Sequence, residues 1–290
     1  MIEQADAHGV LGALLQNFPL FATDAAFAPG RNAAQHRHRA NAAFSLMLTR
    51  EADVLMACVR DLAAAIVKGP VFARTIYPKA SLRCFTDIDI LIAPEALPRM
   101  DEALADRGFR MAESNPASGP REWKWLHRDN DRVMVEVQTD LIHADSLHNV
   151  MSLPFSVIAD GPDGPAASLL VALVHGGGHQ YERLQHVVDI CQAARALQGD
   201  AEERRFEDLV QAANARFVAV AGLALAHRIF REPRCREIAR ALGPVPHQRL
   251  AGLLLDQTVV MSTMDARRAS HGWRRQAFRW LIKQGAALAA

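Results

Sequence analysis

Asp87 and Asp89 stand two residues apart in the run Phe85-Thr86-Asp87-Ile88-Asp89-Ile90-Leu91-Ile92. Ile88, Ile90 and Ile92 give this run strand character, and alternate side chains of a strand share a face, so the two carboxylates lie side by side about 7 Å apart along the backbone. Like charges held that close repel unless a cation sits between them, and a hard divalent ion such as Mg2+ prefers such oxygen ligands. A solvated edge-strand face is the competing reading, since Asp-x-Asp also suits one. Residues 132–138 alternate in the same way and place Glu136 and Gln138 on one face, so a third carboxylate can join the pair.

Two other groups of residues could do chemistry. Lys68, Arg74 and Arg83 flank the Asp-x-Asp strand, where a metal-chelated triphosphate needs cationic donors for its remaining oxygens; ordinary surface charge competes with that role. His175 and His179 are four apart, with Asp189 ten residues further on, a spacing compatible with zinc. No Glu follows the first histidine in the metalloprotease manner, and three glycines between the two weaken a helix that would fix them. A contact from His179 to phosphates or acceptor, or a structural role with Asp189, competes with zinc.

The elements that must position these residues can be read from patterning. Residues 61–160 alternate strand and helix signals, as an α/β core does. The short apolar run at 65–68 reads as a strand stopped by Gly69-Pro70 at a turn; 94–107 reads as a helix ended by Gly108; 109–112, 122–127 and 132–138 read as strands, with a hairpin turn over 129–131. Trp123 and Trp125 share the face opposite Lys124, which suits packing better than base stacking. Residues 1–60 read as helical segments separated at Phe18-Pro19 and at Ala28-Pro29-Gly30, with further candidates over 40–48 and 52–62. The Gly- and Pro-rich stretch 159–165 is the best boundary, and helical signals over 166–180, 186–197, 206–214, 217–230, 234–242, 247–261 and 273–288 predict a C-terminal bundle. Three domains are therefore expected, at 1–60, 61–160 and 161–290.

With 290 residues, half of them apolar, the chain can bury a sizeable core. Its 33 lysines and arginines nearly balance 32 aspartates and glutamates, so net charge gives no indication of nucleic acid as a partner. No apolar run is long enough to span a bilayer, which argues against membrane insertion. The basic cluster at 35–39 and the basic terminal helix read as solvated or packed faces. Cys58, Cys84, Cys191 and Cys235 lack paired spacing and read as reduced thiols; with acidic residues near the N-terminus, they lead us to expect a cytoplasmic protein.

In order and spacing, Val67-Lys68-Gly69-Pro70, Ile76-Tyr77-Pro78, Leu82-Arg83, Asp87-Ile88-Asp89-Ile90-Leu91-Ile92 and Val135-Glu136-Val137 resemble the uncharacterised nucleotidyltransferase family of the polymerase-beta-like superfamily. His175-Gly176-Gly177-Gly178-His179 and the following run to Ile190 resemble its histidine-rich helical segment, so the likeness covers about residues 60–200. It implies an α+β fold: a small mixed sheet flanked by helices, with N-terminal helices and a C-terminal helical bundle. It also implies that Asp87, Asp89 and Glu136 are catalytic and bind metal, two Mg2+ ions with Mn2+ as a substitute. Nucleotide binding would fall to Lys68, Gly69, Arg74, Arg83 and His179. The expected substrates are a nucleoside triphosphate, ATP by default, and an acceptor of unknown kind. Two departures stand out: Lys68-Gly69-Pro70 replaces the superfamily's Gly-Gly or Gly-Ser element, and Gln138 stands where a histidine commonly follows the third carboxylate. A degenerate nucleotide- or partner-binding module, and a zinc hydrolase built on His175, His179 and Asp189, are the alternatives.

Overall fold

A computed structural model describes residues 1–18, 25–112, 121–262 and 271–287. Two short helices, α1 (Ile2–Ala7) and α2 (Leu11–Asn17), precede the 31-residue α3 (Ala28–Cys58). Pro29 and Gly30 therefore begin a helix where the sequence suggested a break, and the two candidates at 40–48 and 52–62 are one element. Proline is tolerated in the first turn because the amide it lacks has no intrahelical partner there. The break expected at Phe18-Pro19 extends outside the described residues.

The central elements follow as β1 (Ala64–Val67), α4 (Gly69–Thr75), β2 (Ile88–Ile92), α5 (Leu97–Asp106), β3 (Phe109–Met111), β4 (Glu122–His127) and β5 (Asn130–Gln138). The strands form one mixed sheet in the order β1-β2-β5-β4-β3, in which only β2 and β5 run parallel. Lys68-Gly69-Pro70 opens a helix rather than a plain turn, and β5 already begins at Asn130, so the hairpin turns at Arg128 and Asp129. Gly108, at φ +84°, ends the segment after α5 in a conformation that a side chain would strain.

Period-two alternation sorts the strand residues between two cores. Ile88, Ile90, Ile92, Val135, Val137 and Trp125 pack with Leu48, Ala52 and Leu55 of α3 and Met100 and Leu104 of α5. Both tryptophans of β4 join that apolar layer, Trp123 at its margin, in keeping with the packing role expected of them. Val67 and Leu91, on the other face, join a second core with the C-terminal helices.

Those helices are α6 (Asp145–His148), α7 (Phe155–Ile158), α8 (Pro165–Gly178), α9 (Leu184–Ala196), α10 (Asp200–Ala212), α11 (Arg216–Phe230), α12 (Pro233–Ala241), α13 (Gln248–Leu254), α14 (Gln257–Val260) and α15 (Gly272–Ala287). The helix expected over 247–261 is divided: the chain extends at Leu255, and the Asp256 carboxylate accepts from the Val259 amide to cap a new turn. α8 is apolar on nearly every side and is buried along most of its length. It runs through Gly176 and Gly177 despite their poor helix propensity, and at Gly177 the absence of a side chain lets α11 approach, since a Cβ there would collide with Val218. Close helix packing outweighs propensity there. No helix among the described residues is long and apolar enough to cross a membrane.

Candidate active site

β2 and β5 are paired so that Asp89 lies directly opposite Glu136, and β4 continues the row with Lys124 opposite Glu136 and Glu122 opposite Gln138. One sheet face thus carries carboxylates and an ammonium while the other carries isoleucine, valine and tryptophan. Asp87 stands at the entrance to β2 and Lys68 at the exit from β1. These side chains line a cavity of about 800 Å³, whose further lining includes His143, His175, His179 and His186.

The carboxylates are unequally compensated. Lys68 Nζ lies 2.7 Å from Asp89 Oδ1, and Gln138 Nε2 donates to the same oxygen at 2.9 Å. Lys124 Nζ holds Glu136 Oε1 at 2.7 Å. Asp87 has no ion pair or hydrogen bond from its carboxylate to a described residue. Burial, reinforced by the negative charge of Asp89, pushes the Asp87 carboxyl up to about 6. The same two causes raise Glu136. Burial works against the Lys68 charge, but Asp89 and the neighbouring carboxylates outweigh it and hold the ammonium above its ordinary range.

Lys68 is also held unusually by its backbone. At φ 59° and ψ −135° it adopts the mirror image of an extended conformation, which glycine enters freely and a side chain enters at a cost of about 1–3 kcal/mol. Gly69 then starts α4 beneath the Phe85 ring, where a Cβ would come within 3.3 Å of that ring.

Arg83 lines the cavity, but its guanidinium grips a carboxylate: Nε and Nη2 donate to the two oxygens of Asp189 at 3.2 and 2.9 Å. Tyr77 Oη donates to the same carboxylate at 2.6 Å. Arg74 lies away from the cavity, its guanidinium 2.6 Å from Asp53 in an exposed pair.

His179 packs its ring 4.7 Å from that of His175 and 5.6 Å from that of His186, with His175 and His186 5.0 Å apart. Burial holds His175 and His186 well below the usual imidazole range, so both are neutral at pH 7. Asp189 binds Arg83 and Tyr77 rather than either histidine that the sequence grouped with it. Lys124, His143, His186 and Arg183 were not singled out from the sequence. For Lys124 a signal existed, since alternation in β4 opposes it to the two tryptophans. His186 and Arg183 lie further along the same histidine-rich run, and nothing in their spacing announces that the His186 ring packs against His179 or that Arg183 lines the same cavity.

The carboxylate oxygens of Asp87, Asp89 and Glu136 have the hard-donor chemistry that Mg2+ takes, and unpaired Asp87 is the natural place for a cation. Among the described residues, however, no three His, Cys, Asp or Glu side chains are arranged to hold a metal ion. Two of the three carboxylates already carry a lysine ammonium. With Glu122 beside Lys124 in the same row, four carboxylates face two ammonium groups, a balance that one divalent ion neutralises and a second would reverse.

A family model described as an uncharacterised nucleotidyltransferase matches residues 1–231, a span that contains every residue of the cavity except Arg279. No curated protein and no solved structure matches the chain.

Proposed function

Because the chain belongs to the uncharacterised nucleotidyltransferase family, we propose that it moves a nucleoside monophosphate from a nucleoside triphosphate, ATP by default, to a hydroxyl of an acceptor. The observation that carries this reading is the in-register placement of Asp89 beside Glu136 on parallel strands, with uncompensated Asp87 at the mouth of the same row. In the transfer, the acceptor oxygen bonds to the α-phosphorus as the bridging P–O bond to the β-phosphate breaks, and the electron pair leaves with pyrophosphate. Glu136, whose proton affinity is raised, accepts the hydroxyl proton.

Asp87, with Asp89 and Glu136, would hold Mg2+, which supplies charge neutralisation and lowers the pKa of the attacking hydroxyl. Lys68 lines the cavity and adds positive charge beside Asp89, and His179 lies on the cavity wall contributed by the C-terminal helices. Arg83 supports the site through Asp189, holding α9 against the segment that leads into β2. We place the activity in the cytoplasm, a reducing compartment that suits four free cysteines.

Thermal unfolding with each of the four nucleoside triphosphates, with and without Mg2+, tests the reading. A nucleotide at a hundred times its dissociation constant stabilises by about 2.7 kcal/mol, a rise of a few degrees. The rise is expected with Mg2+ in the wild type and not in Asp87→Asn. No shift with any nucleotide would remove the basis for the assignment.

A further inference from the structure

We propose that Lys68 is a resident cation of the site: its ammonium occupies the position on Asp89 that a second divalent ion would take, so the carboxylates accept one metal ion rather than two. The inference rests on the nucleotidyltransferase reading and refines it. Three observations carry it.

The Lys68–Asp89 pair is closed to solvent, its side chains being 8% and 5% exposed, with 2.7 Å between Nζ and Oδ1. A pair in that setting is far less screened than a surface pair. Oδ1 also accepts from the Gln138 amide at 2.9 Å, so this oxygen already receives two donors. A metal ion there would have to displace both a charge and a hydrogen bond.

The backbone delivers the ammonium deliberately. Val67 is opposite Asp89 in the β1–β2 ladder, so Lys68 leaves the sheet beside its partner. Its φ of 59° turns the chain into α4 at once, a conformation suited to glycine. A lysine held in such a conformation, with its charge buried against Asp89, is positioned by the surrounding fold rather than by local preference.

The charge balance is the third observation. Asp87, Asp89, Glu122 and Glu136 face Lys68 and Lys124, which leaves two negative charges, and among the described residues Asp87 is the group without a partner. One divalent ion neutralises that charge, and a second would reverse it. A second ion would crowd two ammonium groups already within bonding distance of the same carboxylates. Lys68 therefore acts as a positioning residue: it fixes Asp89 and confines the metal to the Asp87 side.

The test counts ions on the full chain by titration with Mn2+ alone, reading free Mn2+ by electron paramagnetic resonance. One ion per wild-type chain is expected, none in Asp87→Asn, and two in Lys68→Met. Lys68→Gly removes the ammonium while relieving the backbone, so it keeps the count measurable should Lys68→Met fail to fold; two ions are expected there as well. Lys68→Arg, which keeps the charge, should bind one. Two ions in the wild type, or one in the wild type and still one in both neutral variants, would overturn the proposal while leaving the nucleotidyltransferase reading intact. No Mn2+ on the wild type overturns it too, and the Mg2+-dependent nucleotide shift then decides separately whether that reading falls.

Discussion

The cavity has two walls, and they handle charge in opposite ways. On the sheet wall, Asp87, Asp89 and Glu136 crowd together with fewer cations than carboxylates, and proton affinities rise. On the helical wall, Arg83 and Asp189 neutralise each other in a bidentate pair, and buried imidazoles stay uncharged. An under-compensated cluster costs stability and gains it back when a cation binds, whereas a closed pair contributes to the fold and has little left to offer a ligand. The difference separates residues expected to govern turnover from residues expected to govern stability.

The comparison is most sharply tested by breaking the closed pair. Asp189→Leu leaves the Arg83 guanidinium buried without its partner and should destabilise the protein by about 3–5 kcal/mol in urea unfolding. A loss under about 1 kcal/mol would mean that the helical wall is not held by this pair. Asp87→Asn, on the sheet wall, should leave unfolding unchanged or slightly favour the folded state, while lowering the rate of pyrophosphate release about 10²–10³-fold, or about 2.7–4 kcal/mol in the barrier. Wild-type turnover in that variant would refute the role assigned to Asp87.

pH sets the two walls against each other. His143 is held down to about 4 by burial and by Lys68, and His175 and His186 also lie well below 6.5, so the unfolded chain binds protons there that the folded chain refuses. Their contribution to stability is present above about 6.5 and is lost as pH falls toward 4. Asp87, raised to about 6, has the opposite sign: its protonation favours the folded state as pH falls through 6. Urea midpoints between pH 7.5 and 4.5 should therefore fall more steeply in Asp87→Asn than in the wild type. Parallel profiles would show that the carboxylate is not raised. The smallest effect belongs outside both walls: Arg74→Ala breaks only an exposed pair with Asp53, and should change stability by about 0–1 kcal/mol without altering the nucleotide-induced shift.

The fold was legible where local rules and packing agree. β4 was bounded as Glu122–His127 from alternation alone, and the opposite facing of Trp123 and Lys124 holds in the sheet. Sequence rules failed where packing overrode them: Pro29 opens a long helix instead of ending one, and Gly176 and Gly177 continue a helix where Tyr181 and α11, respectively, come too close for a side chain. Of the candidate site residues, Asp87, Asp89, Glu136, Lys68, Arg83 and His179 line one cavity, Gly69 supports it from beneath Phe85, and Arg74 lies apart. Arg74 and Arg83 look alike as cations flanking a strand; only their partners distinguish them.

The sequence by itself determined which side chains share a face, because the period of two along a strand is built into the backbone. Asp89 was bound to oppose Ile88 and Ile90, and Glu136 to oppose Val135 and Val137, whatever lay next to them. Tertiary structure alone decided the neighbours: that Glu136 sits beside Asp89, that Lys68 reaches the same carboxylate, and that Asp189 closes on Arg83 from 106 residues away rather than on His179. Such contacts depend on strand register and helix packing, where many weak apolar interactions add up across the chain, and no local spacing records their sum.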